Sequence, residues 1–139
     1  MNFLKEFFDE NKIEYYGILD YVDVNESSPE IIGREVFTPR SVIIYLLPYY
    51  TGETENISRY AASLDYHIEI RKVNEKLKEI LATVFPEYHS KGYGDHSPID
   101  ERDAAIKAGL GILGKNGLLI NEKYGSYVFV ADVITDIPP

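Results

Sequence analysis

Apolar residues recur at helical spacing in two stretches of the chain. The first stretch, from Asn2 to Asn11, places four apolar side chains among charged ones: Phe3, Leu4, Phe7 and Phe8. This pattern predicts an amphipathic helix that packs by its phenylalanine face. The second stretch predicts a long helix from about Ser58 to Val84, with a break near Asp65. Its buried stripe is predicted to comprise Val73, Leu77, Ile80, Leu81 and Val84.

Other runs have the period or the composition of strands. Val42–Leu47 is a continuous apolar run rich in β-branched residues, which is typical of a central strand covered on both faces. A strand through Tyr15–Tyr21 is predicted before it, and a short extended segment over Tyr88–Asp95 after the long helix. Gly117–Asn121 and Ser126–Thr135 are joined by a short link that contains glycine, and they predict a hairpin.

Two Ser-Pro pairs mark predicted helix starts. At Ser28-Pro29 and again at Ser97-Pro98, serine suits the N-cap and proline suits the first helical position. Gly109 is expected to end the second of these helices as a left-handed C-cap. Together the elements predict one α/β (α+β) domain, with a mixed, partly antiparallel sheet flanked by helices.

Composition narrows the classes of function. The 139 residues, 45% of them hydrophobic, suit one domain. A formal net charge of −9 argues against binding of a nucleic-acid backbone by these residues alone. The absence of cysteine excludes a thiol nucleophile and a thiolate-bound iron–sulfur cluster within these residues. Because no apolar run approaches the roughly 20 residues of a membrane span, and the start lacks the order of a signal peptide, we expect a soluble, cytoplasmic protein with no membrane partner.

A glycine-rich loop follows the helix that Gly109 is expected to end. Gly109–Gly114 matches the dinucleotide-binding pattern GxGxxG, and with Lys115 it mimics most of a P-loop. Both kinds of site need a helix after the loop, whereas here a helix precedes and a strand follows, and Asn116 replaces the Ser or Thr of a P-loop. The context disfavours nucleotide binding. It leaves a backbone that a large flat ligand can approach closely, with Lys115 available for a carboxamide or phosphate.

Titratable residues supply candidates for chemistry. Asp65, Tyr66 and His67 are consecutive, but neighbours on a helix point about 100° apart, so joint action would require irregular backbone there. Asp95 follows a strand end that contains glycine, a place where α/β folds tend to expose functional side chains, although a capping or turn role is equally consistent. The three histidines lack metal-binding spacing, and no protein-bound metal is expected.

Several short segments, in order along the chain, form a specific signature. They are Pro39–Ile43, Ser58–Ala61, Asp65–His67, Asp95 with Ser97-Pro98, Glu101-Arg102, Ala108–Gly111, Gly114–Asn116, Leu118–Ile120 and Gly125–Tyr127. In these segments the stretch from Phe37 to Pro138 resembles the N-terminal domain of epoxyqueuosine reductases, a family of iron–sulfur proteins. That domain is related to the corrinoid domain of reductive dehalogenases.

The resemblance implies a function for the whole of residues 1–139. It implies an oxidoreductase domain that binds cobalamin, beside a downstream iron–sulfur domain, absent from this chain, whose two [4Fe-4S] clusters reduce the cobalt. The reaction is the reductive removal of an epoxide oxygen in queuosine biosynthesis on tRNA, with tRNA bound only with the help of additional domains. We do not expect the fragment to turn over alone, and its homo-oligomerisation stays open.

The resemblance also implies roles for particular residues. Asp95 matches the proposed acid of the family, Tyr66 and His67 would position the substrate or relay protons, and Asp65 would orient His67. The corrinoid is expected to contact Gly109, Gly111, Ile112, Gly114, Lys115, Asn116 and Ser126. We further expect Asp65, Tyr66, His67, Asp95 and the loop Gly109–Asn116 to line one concave surface.

The sequence departs from the family's pattern at four places. Leu64 stands where the family usually has a basic residue, Ile112 where it has Trp, and Gly117 where it has Thr. Ala131-Asp132 replaces a Gly-Glu pair. These changes leave the fold prediction intact and the substrate open. The alternatives are a related corrinoid-dependent reduction, a non-catalytic corrinoid- or flavin-binding module, and a structural fragment.

Overall fold

A computed structural model of the chain describes residues 2–33, 37–48, 59–93, 97–115 and 117–139, without the side chains of residues 2, 32 and 59–65. The helices in these ranges are α1 (Asn2–Glu10), α2 (Pro29–Ile32), α3 (Arg59–Val84) and α4 (Glu101–Lys107). The strands are β1 (Tyr16–Asp20), β2 (Ser41–Pro48), β3 (Ser90–Tyr93), β4 (Ile112–Leu113), β5 (Leu119–Ile120) and β6 (Val128–Thr135).

Four strands form one sheet in the order β1-β2-β6-β3. In β2, Ile44 lies opposite Gly17 of β1 on one side and opposite Asp132 of β6 on the other. The strand is buried from Ser41 to Leu46. The predicted central strand over Val42–Leu47 is therefore confirmed, as is the α+β class. All three strand pairings of this sheet are antiparallel, so the prediction of a mixed sheet was wrong: no described strand runs parallel to its neighbour.

The sheet separates two hydrophobic cores, because alternate residues of a strand point to opposite faces. Ile43 and Tyr45 of β2 join the core under α1 and α3. Ile44 and Leu46 join a second core that includes Ala104 of α4. We call the two sides of the sheet the α3 face and the α4 face.

The two long helices agree with the hydrophobic pattern, with two corrections. α1 covers the predicted stretch, but α3 is continuous through Asp65, so the predicted break is absent. Val84 is 46% exposed rather than buried. It is the last residue of α3, and the next residue, Phe85, packs on that end of the core instead. No helix within the described ranges is both long and apolar enough to cross a bilayer.

α4 begins three residues later than the Ser-Pro pair suggests. Asp100 is its N-cap, and its carboxylate accepts the N–H of Asp103 at 3.1 Å. Ser97 is not the cap, because its hydroxyl turns to the sheet and donates to Asp132 Oδ2 at 3.1 Å. At the other Ser-Pro pair, Ser28-Pro29, the helix begins where it was predicted to begin, because Pro29 is the first residue of α2.

The hairpin predicted from Gly117–Asn121 and Ser126–Thr135 does not form. β5 pairs with β4, and β6 pairs with β2 and β3. Only a single bridge between Asn121 and Gly125 closes the link. The prediction was wrong because the second half of β6 is buried. Such a strand needs partners along both edges, and the two-residue β5 cannot supply one of that length.

Candidate functional site

Gly109 ends α4 and begins the glycine-rich loop. The N–H groups of Gly109 and Leu110 donate to the carbonyls of Ile106 and Ala105, each at 3.0 Å. This pair of bonds is a Schellman motif, and the positive φ of +79° at Gly109 is the conformation that the motif requires. A Cβ at Gly109 would meet nothing within 4 Å. The predicted left-handed C-cap is confirmed, and backbone conformation alone favours glycine there.

Gly111 has the opposite constraint. A Cβ on Gly111 would lie 2.6 Å from the carbonyl oxygen of Ile120 and 2.8 Å from Cδ1 of Leu119. The loop therefore lies directly against β5, at a distance that only glycine allows. Beyond it, Ile112 and Leu113 are 67% and 61% exposed.

An open cavity of about 270 Å³ lies beside this loop. Its walls are formed by Tyr15, Gly109, Leu110, Gly111, Ile112, Ile120 and Glu122. The phenol of Tyr15 donates to Glu122 Oε1 at 3.0 Å. Desolvation and this hydrogen bond raise the pKa of Tyr15 to about 12, so the phenol stays protonated at neutral pH. The cavity thus combines apolar side chains, exposed backbone and one fixed polar pair.

The cavity includes some of the predicted ligand contacts and adds others. Gly109, Gly111 and Ile112 lie on its walls. Tyr15 and Glu122 were not predicted, because no local pattern links them to a loop that is distant in sequence. A weak signal was available, since both lie at the boundaries of predicted strands, where side chains reach the rim of a sheet.

The other predicted ligand contacts are not among the residues that line the cavity. Gly114 and Lys115 lie in the turn between β4 and β5, with Lys115 exposed. Ser126 is exposed in the segment before β6. Asn116 lies outside the described residues.

Tyr66 and His67 lie on the α3 face. The hydroxyl of Tyr66 donates to the carbonyl of Pro48, the last residue of β2. The centroids of the Tyr66 and His67 rings are 4.7 Å and 6.3 Å from that of Phe129 in β6. Two consecutive helical residues thus contact the same ring without any irregularity in α3. The side chain of Asp65 is not among those described.

The two groups approach the same end of the sheet from different faces. The carbonyl of Tyr15, beside the cavity, accepts the N–H of Leu46 at 2.9 Å, two residues from the carbonyl that Tyr66 contacts. The structure places Tyr66 and His67 beside Phe129, and it places Gly109, Gly111 and Ile112 together on the cavity wall. One surface that contains both groups stays a prediction, because Asp95 lies outside the described residues.

Two carboxyl groups are buried together under the start of α4. Asp132 is fully buried, and neither its Oδ1 nor Oε2 of Glu101 has a donor in the described part of the chain. Burial, a side-chain hydrogen bond to Asp132 and the charge of Asp132 raise the pKa of Glu101 to about 11. Burial also raises the pKa of Asp132. With the pKa of both groups raised, the pair shares one proton at neutral pH, in the side-chain hydrogen bond between the two carboxyl groups.

Comparison with curated proteins identifies relatives of one kind. The chain is 39% identical over 135 residues to the epoxyqueuosine reductase of Cyclobacterium marinum, covering 89% of this chain and 42% of that protein. It is 41% identical over 105 residues to the epoxyqueuosine reductase of Synechocystis sp., covering 70% of this chain and 36% of that protein. The chain spans less than half the length of these relatives. No protein-family model matches it.

Solved structures share the fold at lower identity. Epoxyqueuosine reductase from Bacillus subtilis, with its catalytic aspartate loop swung out of the active site, matches with a TM-score of 0.73 and 20% identity over 99% of this chain and 46% of that chain. An epoxyqueuosine reductase with a tRNA stem loop matches with a TM-score of 0.70 and 18% identity, over 99% of this chain and 46% of that chain. A reductive dehalogenase studied for B12-dependent dehalogenation matches with a TM-score of 0.63 and 16% identity, over 91% of this chain and 19% of that chain.

Proposed function

We propose that this chain, which is homologous to part of the epoxyqueuosine reductases, is the cobalamin-binding domain of a reductase that removes an epoxide oxygen in queuosine synthesis on tRNA. The observation that carries the proposal is the 39% identity over 135 residues to such a reductase. Since the chain spans less than half of that relative, the electron supply and most of the tRNA contact belong to a further part of the protein. With no cysteine and a net charge of −9, these residues suit neither task.

The cavity beside Gly109 fits part of a corrinoid. Its apolar walls and exposed backbone suit the edge of a large flat ligand, and the Tyr15–Glu122 pair offers a donor and an acceptor to a peripheral carboxamide. A volume of about 270 Å³ is enough for an edge or an amide side chain, not for a whole macrocycle. Gly109, Gly111 and Ile112 would hold the ligand there, with Gly114, Lys115, Asn116 and Ser126 as further contacts. When bound, cobalamin supplies the electrons for the reduction.

Asp95 is the residue that we assign as the acid. The departing epoxide oxygen must gain protons, and the catalytic aspartate loop of the Bacillus subtilis relative supports an aspartate in this role. An ordinary aspartate has a pKa of about 3.9, so Asp95 must lie against apolar surface to be protonated near neutral pH. A corrinoid bound beside it would provide such a surface.

Tyr66 and His67 are assigned to substrate positioning. The hydrogen bond from Tyr66 to Pro48 and the contact with Phe129 fix the phenol ring at the end of β2. His67 lies beside the same Phe129 ring, which leaves an imidazole near that end of the sheet. Asp65 would orient His67. A rigid pair of this kind reduces the entropy that is lost when a substrate is oriented.

Cobalamin binding by this chain tests the cofactor assignment. The chain is mixed with hydroxocobalamin, free corrinoid is removed by gel filtration, and bound cobalt is measured together with the visible spectrum. We expect cobalt to co-elute with the wild-type chain and to be lost in Ile112→Asp, which places a charge on the cavity wall. Val22→Asp is the matched control, because Val22 is 83% exposed and lies beyond the opposite end of β1. Wild-type and Ile112→Asp chains with equal cobalt contents would contradict the assignment.

A further inference from the structure

Asn121 is a buried amide between two residues of the cavity wall. It is 1% exposed, and its neighbours in the chain, Ile120 and Glu122, both line the cavity. Its Nδ2 donates at 2.7 Å to the carbonyl of Leu110, which lines the cavity from the glycine-rich loop. A buried amide without partners would be destabilising, so this hydrogen bond fixes where the side chain lies. It joins the end of β5 to the loop after α4.

The oxygen of the same side chain organises the turn that follows β5. Asn121 Oδ1 accepts the N–H groups of Lys123 and Tyr124 at 2.9 Å and 3.0 Å. The backbone of Asn121 exchanges two hydrogen bonds with Gly125, at 2.8 Å and 2.9 Å. Asparagine commonly fixes turns by accepting hydrogen bonds from backbone groups that follow it. The amide of Asn121 therefore determines the conformation of residues 121–125.

This turn carries one part of the cavity wall and is attached to the start of β1. Lys123 Nζ lies 2.6 Å from Glu14 Oε1, and the rings of Tyr124 and Tyr15 meet edge to face with their centroids 5.8 Å apart. Between these contacts, the phenol of Tyr15 donates to Glu122 at 3.0 Å. Three consecutive residues of the turn thus contact the two residues before β1. A shift of the turn would displace the Tyr15–Glu122 pair from the cavity wall.

The glycine-rich loop carries the other part of the wall. The N–H of Leu110 donates to the carbonyl of Ala105 in α4 at 3.0 Å, while the carbonyl of Leu110 accepts from Asn121. The next residue, Gly111, lies against β5 with no room for a Cβ. The loop is therefore fixed by α4 on one side and by Asn121 on the other. One side chain hydrogen-bonds to both parts of the wall.

We propose that Asn121 is a positioning residue for cobalamin binding, because its amide sets the spacing between the glycine-rich loop and the turn that carries Glu122. The inference rests on the proposed function, in which this cavity takes the edge of the corrinoid. A rigid ring contacts both parts of the wall at once only if their spacing matches its shape. A spacing that exists before binding reduces the ordering of the loop that binding requires, and so raises affinity.

Asn121→Ala in the 139-residue chain tests this role, with Asn74→Ala as the matched control. Asn74 is also a buried amide, 4% exposed, but it lies in α3 on the other face of the sheet, where its Oδ1 accepts the hydroxyl of Tyr45 at 2.6 Å. The Kd for hydroxocobalamin is measured from the visible spectrum, and the free energy of unfolding from urea titration.

We expect both alanine variants to lose stability, because each removes a buried hydrogen bond. Asn121→Ala should also raise the Kd by about tenfold or more, since it removes three hydrogen bonds that fix the wall. Asn74→Ala should change the Kd by less than about twofold. The contrast between the two variants separates positioning of the wall from general loss of stability.

Asn121→Asp separates the two hydrogen-bonding groups of the amide, and it decides the question if Asn121→Ala does not fold. It keeps the oxygen that accepts from the turn, but its carboxyl group donates to Leu110 only when protonated. Burial favours the protonated form. The Kd of this variant relative to wild type should therefore be raised near about pH 8 and approach 1 near about pH 5, whereas the ratio for Asn121→Ala stays constant.

Three results would overturn the positioning role while Ile112→Asp still loses cobalamin, which leaves the proposed function intact. The first is an unchanged Kd in Asn121→Ala, and the second is an equal rise of the Kd in Asn74→Ala. The third is an Asn121→Asp variant that binds as weakly as Asn121→Ala at every pH. A wild-type chain that binds no hydroxocobalamin would overturn the cofactor assignment itself, and the role of Asn121 with it.

Discussion

The two ends of α4 differ in how they treat polar groups. At its start, Glu101, Asp132 and Ser97 form a largely buried network, in which Ser97 donates to Asp132 and the two carboxyl groups share one proton. At its end, Gly109 opens into a loop whose backbone and apolar side chains face an open cavity. A buried polar network favours one geometry, whereas an exposed apolar surface needs something to cover it. The first end is therefore suited to a fixed part of the fold, and the second is the end at which we propose ligand contact.

Asp95→Asn is expected to have the largest effect. The amide keeps the shape of the side chain but cannot donate a carboxylic proton, so in the full-length reductase kcat should fall by about 10²- to 10⁴-fold. Cobalamin content should not change, because the substitution keeps the size and shape of the side chain. Both quantities are measured on one preparation, by product formation and by cobalt analysis. Undiminished turnover would remove the acid role, and loss of cobalt would show that Asp95 is needed to hold the cofactor.

Glu101→Gln tests the buried end through the pH dependence of stability. The folded pKa of Glu101 is raised to about 11 from 4.5, so between these values the folded state holds a proton that the unfolded state lacks. The free energy of unfolding therefore falls as pH rises, by at most about 1.4 kcal/mol per pH unit. Glu101→Gln has no proton to lose and should show a flatter profile between pH 6 and 9. Urea unfolding of both chains measures the difference, and parallel profiles would contradict a shared proton.

Two glycine substitutions compare steric and conformational constraints at the open end. Gly111→Ala should lower the free energy of unfolding by about 1–3 kcal/mol, because its Cβ would overlap the backbone of β5. Gly109→Ala meets no atom within 4 Å and should lose only about 1 kcal/mol, from the positive φ. Urea unfolding gives both values. A larger loss at Gly109 than at Gly111 would show that the loop does not lie against β5.

Leu113→Ser is expected to have the smallest effect on stability. Leu113 is 61% exposed, so its replacement should change the free energy of unfolding by no more than about 0.5 kcal/mol. Thermal unfolding monitored by circular dichroism measures this change. A loss above about 2 kcal/mol would mean that Leu113 is buried in a core, and that the loop after α4 is not exposed to solvent.

Local patterns in the sequence predicted the elements whose burial depends on their own residues. The central strand over Val42–Leu47 has an apolar run because both faces are covered, and α1 has the period of a helix with one buried face. The left-handed cap at Gly109 was predictable because few residues other than glycine adopt its φ. These features need no knowledge of the rest of the chain.

Long-range partners could not be predicted in the same way. The hairpin prediction failed because β6 pairs with β2, whose residues lie about 85 positions earlier in the sequence. Glu101 looks like an exposed acid in the first turn of a helix, and only the fold brings Asp132 beneath it. Ser97 and Asp100 are both good caps, so the choice between them depended on whether Ser97 had another partner.

The most direct test of the account is conversion of epoxyqueuosine to queuosine in tRNA by the full-length protein that contains these residues, with nucleosides analysed by mass spectrometry. We predict conversion that requires both added cobalamin and an electron donor, and no conversion by the 139-residue chain, which has no cysteine to hold a cluster. Conversion at an unchanged rate without cobalamin, or conversion by the short chain without added reductant, would contradict it.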